Sequence, residues 1–157
     1  MRNSMKEYFE NARVETYEHI ELVRKLIGDI IVELIKRQAI HDKTKLKSPE
    51  VEIFDKYTPL LSSLSYDSVA YNKVKKEMNI ALVHHYANNR HHPEHYKNGI
   101  RDMSIVDLIE MLCDWKASSV RQNNGNILKS IDLNQIRFEY SDDLKQILRN
   151  TLTYLEM

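Results

Sequence analysis

The sequence predicts an all-α fold, a single-domain helical bundle of five to seven helices spanning 1–157. Two observations lead there. Only three Gly and three Pro punctuate the 157 residues, too few for a strand-rich fold with many tight turns. Apolar residues also recur at steps of three and four over long stretches, which is the helical period. A domain near this length buries ~70% of the surface its unfolded chain exposes. It needs no disulfide framework, and Cys113 is the only cysteine.

The elements follow in order. A first helix is predicted from about Met5 to Gln38, where Ile20, Val23, Ile27, Ile30 and Leu34 form one apolar stripe. His19, Val23, Leu26 and Ile30 share a neighbouring row, which turns His19 towards the core. Gly28 is a place where this helix can break, at a cost of ~1 kcal/mol relative to Ala. The polar run His41 to Lys47 leaves the helix or starts a short turn. Ser48-Pro49-Glu50 reads as a helix start, with Ser at the cap and Pro at the first helical position. That second helix should reach about Ser62, followed by a loop from Ser62 to Asp67. A third helix is expected over Ser68 to Tyr86, with Val74, Met78, Leu82 and His85 on its buried row. His84 then sits ~100° round from that row. Asn88 to Ile100 is a loop marked by Pro93 and Gly99. Ser104 with Asp107 forms a capping-box-like start to a helix with Ile105, Leu108, Leu112 and Trp115 on one row. Asp107, Met111, Asp114, Ser118 and Arg121 lie on another. The piece from Asn123 to Tyr140 is ambiguous. Ser141-Asp142-Asp143 caps a last helix, about 142–155. Cys113 reads as a small core residue, since nothing marks it as an activated thiol.

Composition excludes several classes. Lys plus Arg equals Asp plus Glu at 23 each, so bulk charge makes no case for nucleic acid or a membrane surface. The longest apolar run, around Ile30 to Ile35, falls far short of the ~20 residues that span a bilayer. MRNSMKEYFE lacks the apolar centre of a signal peptide. With a single cysteine, this leads to the expectation of a reducing cytoplasm, bacterial or that of an infected host. Self-association into a homodimer stays open.

The chemistry is concentrated in seven histidines: His19, His41, His84, His85, His91, His92 and His95. His41 is followed by Asp42 and, three residues on, by Lys45. His84-His85 closes a later helix, and Asp114 sits in mid-helix beside Trp115. Imidazole and carboxylate suit a divalent ion such as Mn²⁺, Fe²⁺ or Zn²⁺, and their scatter over several helices suits a catalytic site with open coordination positions. A buried Asp114 would need a cation or strong donors. An exposed one would pair with Lys116 or Arg121, worth at most about 1 kcal/mol.

His19, His41-Asp42 and Asp114, in that order on successive helices, resemble the HD-domain superfamily of metal-dependent phosphohydrolases. Lys45 fits a lysine that the family often carries three residues after its Asp. His84-His85 looks like the His-His pair that two-metal members add. The resemblance covers His19 to Arg121, the expected metal-site core. The fuller strings HHYANNRHHPEHY and MSIVDLIEMLCDWKAS look closer to a small group of uncharacterised bacterial and phage proteins with an HD-like core. The Gly-Tyr-Pro signature of the cyclic-dinucleotide branch is replaced by Arg90-His91-His92-Pro93-Glu94-His95.

The resemblance implies one or two divalent ions (Mn, Fe, Zn, Ni or Co) held by His19, His41, Asp42, His84, His85 and Asp114. It implies hydrolysis of a small phosphorylated substrate, a nucleotide above all, by metal-activated water. Asp42 is placed to bridge two ions. Lys45 is the expected neutraliser of charge on phosphate, with Arg121 either joining it or pairing with Asp114 or a surface acid. The loop has three readings. It is a rim on which Arg90, His91 and His95 contact substrate while His92 or Glu94 supplies a general acid, a second metal chelate, or a polar loop packed on Pro93 and the tyrosines. Two other functions fit the same residues: an HD-like di-iron oxygenase, and a protein that binds a nucleotide without cleaving it.

Overall fold

The computed structural model describes residues 2–65, 68–121 and 125–157, with side chains from residue 11 onward. The expected loop at Ser62 to Asp67 and the ambiguous stretch from Asn123 each fall partly outside the described residues. All regular structure among the described residues is helical, in seven α-helices with three short 3-10 turns. The chain divides into two compact units, residues 1–39 and 40–157.

The first unit is essentially one helix, α1 (Arg2–Ile40). Pairs at i, i+4 stitch its surface: Lys25 with Asp29 at 2.7 Å and Arg37 with Glu33 at 3.1 Å. It runs through Gly28 without a break. Of the predicted apolar stripe, Ile20, Val23, Ile27 and Ile30 are 38–53% exposed and Leu34 is half-buried. His19, expected to face the core, is exposed too.

The second unit begins where α1 ends. Asp42 adopts a left-handed conformation (φ 56°) and a 3-10 turn follows over Lys43–Leu46. Next comes α2 (Glu50–Ser62). Its start is one residue later than expected, with Pro49 at the cap position and no side-chain cap. Glu50, expected only as an acid of the first turn, is instead fully buried. The single helix expected over Ser68 to Tyr86 is two, α3 (Val69–Glu77) and α4 (Asn79–Asn88). They break at the buried Met78 (φ −84°, ψ 2°), where no Gly or Pro announces an interruption. Ser68 caps α3 by accepting from the Tyr71 amide at 3.1 Å.

The loop beyond α4 carries 3-10 turns at Pro93–His95 and Gly99–Asp102. Then α5 (Ile105–Arg121) opens with the expected capping box. The Ser104 amide donates to Asp107 Oδ2 at 2.9 Å, and the Asp107 amide donates to Ser104 Oγ at 3.2 Å. The ambiguous stretch contains α6 (Ile127–Phe138), capped by Asn126 Oδ1, and Ser141 caps α7 (Asp142–Tyr154). Asp142 and Asp143 in the first turn of α7 favour the positive end of its dipole.

The main core lies where α5, α6 and α7 meet. Met111, Leu112, Trp115, Ile131, Leu148 and Leu152 are buried there. Trp115 packs between Phe138 and Tyr140, at ring separations of 6.3 and 6.4 Å. Tyr140 satisfies its hydroxyl by donating to the Ile131 carbonyl at 2.6 Å. Cys113 is a correction: it faces outward from α5. Burial of its sulfur, with the charges of Glu110 and Asp114, pushes the thiol pKa up, so it is not an activated nucleophile.

Candidate metal centre

The site is built within the second unit, where the turn at His41 and Asp42, the last turn of α4, the following loop and the middle of α5 supply imidazoles and carboxylates. Among the described residues, three groupings could hold a metal ion, each with its ligand atoms within 4.8 Å of one another. They are Asp42, His85, His91 and His92; His41, Asp42 and Asp114; and His41, His91 and Glu110.

The first grouping has the tightest geometry. Asp42 Oδ1 is 3.2 Å from His85 Nε2 and 3.5 Å from His91 Nε2, and His85 Nε2 is 2.9 Å from His92 Nε2. Ligands ~2.0–2.2 Å from a first-row divalent ion lie ~3–3.5 Å from each other, so these spacings are those of a coordination polyhedron. Asp42 Oδ1 and His91 Nε2 are buried, and neither meets an aligned hydrogen-bond partner. Unpartnered buried polar atoms cost about 1–3 kcal/mol each, and a cation between them removes that cost. The residues present therefore fit a metal ion.

Electrostatics agrees. Burial pushes the His92 imidazole down to about 2, helped by the neighbouring His91, His85 and Lys45. It is neutral at pH 7 with a lone pair to offer, as ligation requires. Burial alone would raise the Asp42 carboxyl, but the His85 imidazole, the Lys45 ammonium and His41 hold it far below the usual carboxylate range. Lys45 Nζ donates to Asp42 Oδ2 at 2.6 Å. The two Asp42 oxygens thus face different neighbours: Oδ1 the His85/His91 side, and Oδ2 both Lys45 and His41 Nε2, the latter at 3.5 Å. His41 Nε2 also lies 3.9 Å from Asp114 Oδ1.

Two glutamates stand behind the imidazoles. Glu50 accepts from His85 Nδ1 at 2.8 Å, His84 Nδ1 at 2.7 Å and the Thr44 hydroxyl at 3.0 Å. Glu110 lies 2.9 Å from His41 Nδ1 and 3.2 Å from His91 Nδ1. Its hydrogen bond raises the His41 pKa against burial. Although burial opposes it, the bonds from His41 and His91 hold Glu110 down to about 2. With Nδ1 of His41, His85 and His91 committed to carboxylates, each Nε2 faces the centre, the arrangement that fixes tautomer and ring direction in metal sites.

The sequence-predicted residues divide as follows. His41, Asp42, His85 and Asp114 come together as expected. His84 does not join the ligand groupings; it is half-buried and holds Glu50. His19 belongs to the first unit, and the groupings are drawn from the second unit alone. The five residues of the expected rim are placed as follows. His91 is buried among the ligand atoms, not offered to substrate. His92 lies there too, and a neutral imidazole of that pKa is no general acid at pH 7. Arg90 donates twice to Asp107, both at 3.2 Å, and Glu94 is held by Arg137. His95 Nδ1 donates to the Tyr86 carbonyl at 2.9 Å. Arg121 is exposed near the end of α5, ~10 Å along the helix from Asp114. Sequence reasoning missed Glu50 and Glu110. Glu110 had a signal, since it sits four residues before Asp114 and so on the same helical face.

No helix of the described residues is long and apolar enough to cross a membrane. No curated protein and no solved structure matches this chain. The model of a family of unknown function, DUF5662, matches residues 8–154, and with nearly the whole sequence inside that match, the chain belongs to this family.

Proposed function

We propose that this protein is a metal-dependent phosphohydrolase acting on a nucleotide or related phosphate ester. One observation carries the reading. Buried, unpartnered Asp42 Oδ1 and His91 Nε2 converge with His85 and His92 on a single point, beside a lysine whose ammonium is partly exposed. A divalent ion bound there supplies Lewis acidity and a water of lowered pKa. The remaining work falls to the chain. Glu50 and Glu110 keep the imidazoles oriented. Asp42 offers one oxygen to the His85/His91 side and the other towards His41 and Asp114, which suits a carboxylate shared by two ions. Lys45 is placed to leave Asp42 for a non-bridging phosphate oxygen as negative charge develops there. An anionic substrate is what a lysine at this position favours, over the small neutral substrate of a di-iron oxygenase.

The test is elemental analysis of the purified protein, then a panel of nucleotides and bis(p-nitrophenyl) phosphate with Mn²⁺, Co²⁺ or Ni²⁺. Release of phosphate or nitrophenol is expected from the wild type and is expected to be lost in Asp42→Asn. An iron chromophore that consumes O₂ and leaves every ester intact would replace this reading with the redox one. Recovery of intact bound nucleotide after long incubation with metal would replace it with binding alone.

A further inference from the structure

The two oxygens of Asp42 are not equivalent. Oδ1 is buried without an aligned partner and faces His85 Nε2 at 3.2 Å and His91 Nε2 at 3.5 Å. Oδ2 already has a cation, for the Lys45 ammonium donates to it at 2.6 Å. It is also Oδ2 that lies 3.5 Å from His41 Nε2, and His41 Nε2 in turn lies 3.9 Å from Asp114 Oδ1. The grouping of His41, Asp42 and Asp114 therefore shares its Asp42 oxygen with a lysine. The grouping of Asp42, His85, His91 and His92 draws on the other oxygen.

Local structure sets the lysine there. Lys45 follows Asp42 by three residues on the 3-10 turn Lys43–Leu46, and side chains three apart lie on one side of such a turn. Its amide donates to the Asp42 carbonyl at 2.9 Å, which fixes the backbone of the pair. The side chain is 29% exposed, and its ammonium lies 5.3 Å from the centre of the Phe54 ring. A flexible four-carbon stem lets the ammonium leave Asp42 for an anion arriving from solvent while the turn stays closed.

Charge sets the order of filling. Asp42, Asp114, Glu50 and Glu110 bring carboxylates to the cluster, and Lys45 brings the ammonium. One divalent ion leaves this set slightly negative. A second turns it positive with the ammonium still in place, and uncompensated charge in a part-buried cluster is costly. A phosphate dianion reverses that sign, and it also draws the ammonium away from Oδ2. The grouping that fills last has three protein ligands, and so keeps positions open for water and phosphate.

We propose that Lys45 makes the occupancy of this centre conditional on phosphate. The resting protein holds one divalent ion, in the grouping of Asp42 Oδ1, His85, His91 and His92. A phosphate group that draws Lys45 off Asp42 Oδ2 admits a second ion between His41, Asp42 and Asp114. The inference rests on the metal-dependent reading of the site. It is measured as ion binding with no ester present, so its failure and a failure of hydrolysis are separate results.

The experiment is equilibrium dialysis of metal-stripped protein against Mn²⁺, with and without inorganic phosphate, on wild type, Lys45→Met and Asp114→Asn. Bound metal is counted per chain, and electron paramagnetic resonance of the same samples separates two ions sharing a carboxylate, which are spin-coupled, from a stray ion on the surface. Lys45→Met keeps the length of the stem and removes the ammonium, and circular dichroism checks that each variant keeps its helices. Wild type is expected to bind one ion without phosphate. Phosphate is expected to lower the free Mn²⁺ needed for the second by at least ~10-fold, an ordinary coupling between two sites, and to bring out the coupled spectrum. Lys45→Met should hold the coupled pair without phosphate, and Asp114→Asn should stop at one ion in both conditions. A second ion that binds wild type equally well with and without phosphate, no second ion in wild type under either condition, or a Lys45→Met protein that still needs phosphate would overturn the proposal. No ion bound by wild type at all would overturn it together with the phosphohydrolase reading. A phosphate-dependent pair in a protein that cleaves no ester would leave the role of Lys45 standing and remove only the hydrolase.

Discussion

Metal-stripped protein should become more heat-stable when a divalent ion is returned, and the size of the gain can be worked from the site. Asp42 Oδ1 and His91 Nε2 are buried without aligned partners. At about 1–3 kcal/mol each, they leave roughly 2–6 kcal/mol for an ion to recover. By mass action, an ion at 100 times its dissociation constant stabilises the folded state by about 2.7 kcal/mol, within that range. For a chain of this length each kcal/mol moves the midpoint by roughly 2–4 °C, so the expected rise is about 5–11 °C. The assay is scanning calorimetry of EDTA-treated protein, dialysed and titrated with Mn²⁺ or Zn²⁺, with metal content measured on the same samples. Asp42→Asn keeps the side-chain volume and removes the charge; its rise should shrink to about 2 °C or less. Glu50→Gln touches no ligand position but loosens His84 and His85. It should need ~10–100-fold more ion for the same rise, the usual cost of losing such a supporting carboxylate. Identical midpoints with EDTA and with ion, or an undiminished rise in Asp42→Asn, would refute the reasoning.

Two further predictions concern the scaffold. Burial would raise the Asp107 carboxyl, but bonds from Arg90 and Ser104 hold it well below its ordinary value of 3.8. A carboxyl depressed in the folded state adds stability above its unfolded pKa and loses it as pH falls through the folded one. Urea midpoints of the wild type should therefore fall below about pH 4, and Asp107→Asn should flatten that slope while lowering stability at pH 7. Gly125→Ala should destabilise the fold by on the order of 2–3 kcal/mol, as overpacking does, because its Cβ would lie 1.6 Å from the Ser119 carbonyl oxygen; urea denaturation measures it.

Much of the fold was legible because helix signals are local. The capping box at Ser104 and Asp107 and the serine cap at Ser141 act within a few residues of themselves, and they stand where the sequence put them. The break at Met78 was not legible, since no Gly, Pro or cap residue marks it in the sequence. Asn126 could have marked the start of α6, for an asparagine before an apolar run is a cap signal. At the site, His85 stood out on an inward helical row, and His41, Asp42 and Asp114 by residue type and their order along the chain. His91 and His92 were noticed yet assigned to a rim, because a loop has no period from which to read inward and outward. Glu50 resembles any acid in a first helical turn, and only its buried contacts with His84 and His85 reveal its task.

The left-handed backbone at Asp42 has a consequence for what sequence drift can do here. A glycine would adopt that conformation without steric penalty, so the mutation that most relaxes this corner also deletes the carboxylate that two of the three ligand groupings contain. Selection for sturdiness alone would erase the site at its first step. An acid at a backbone position that glycine would occupy at less cost is what a ligand role for Asp42 would require.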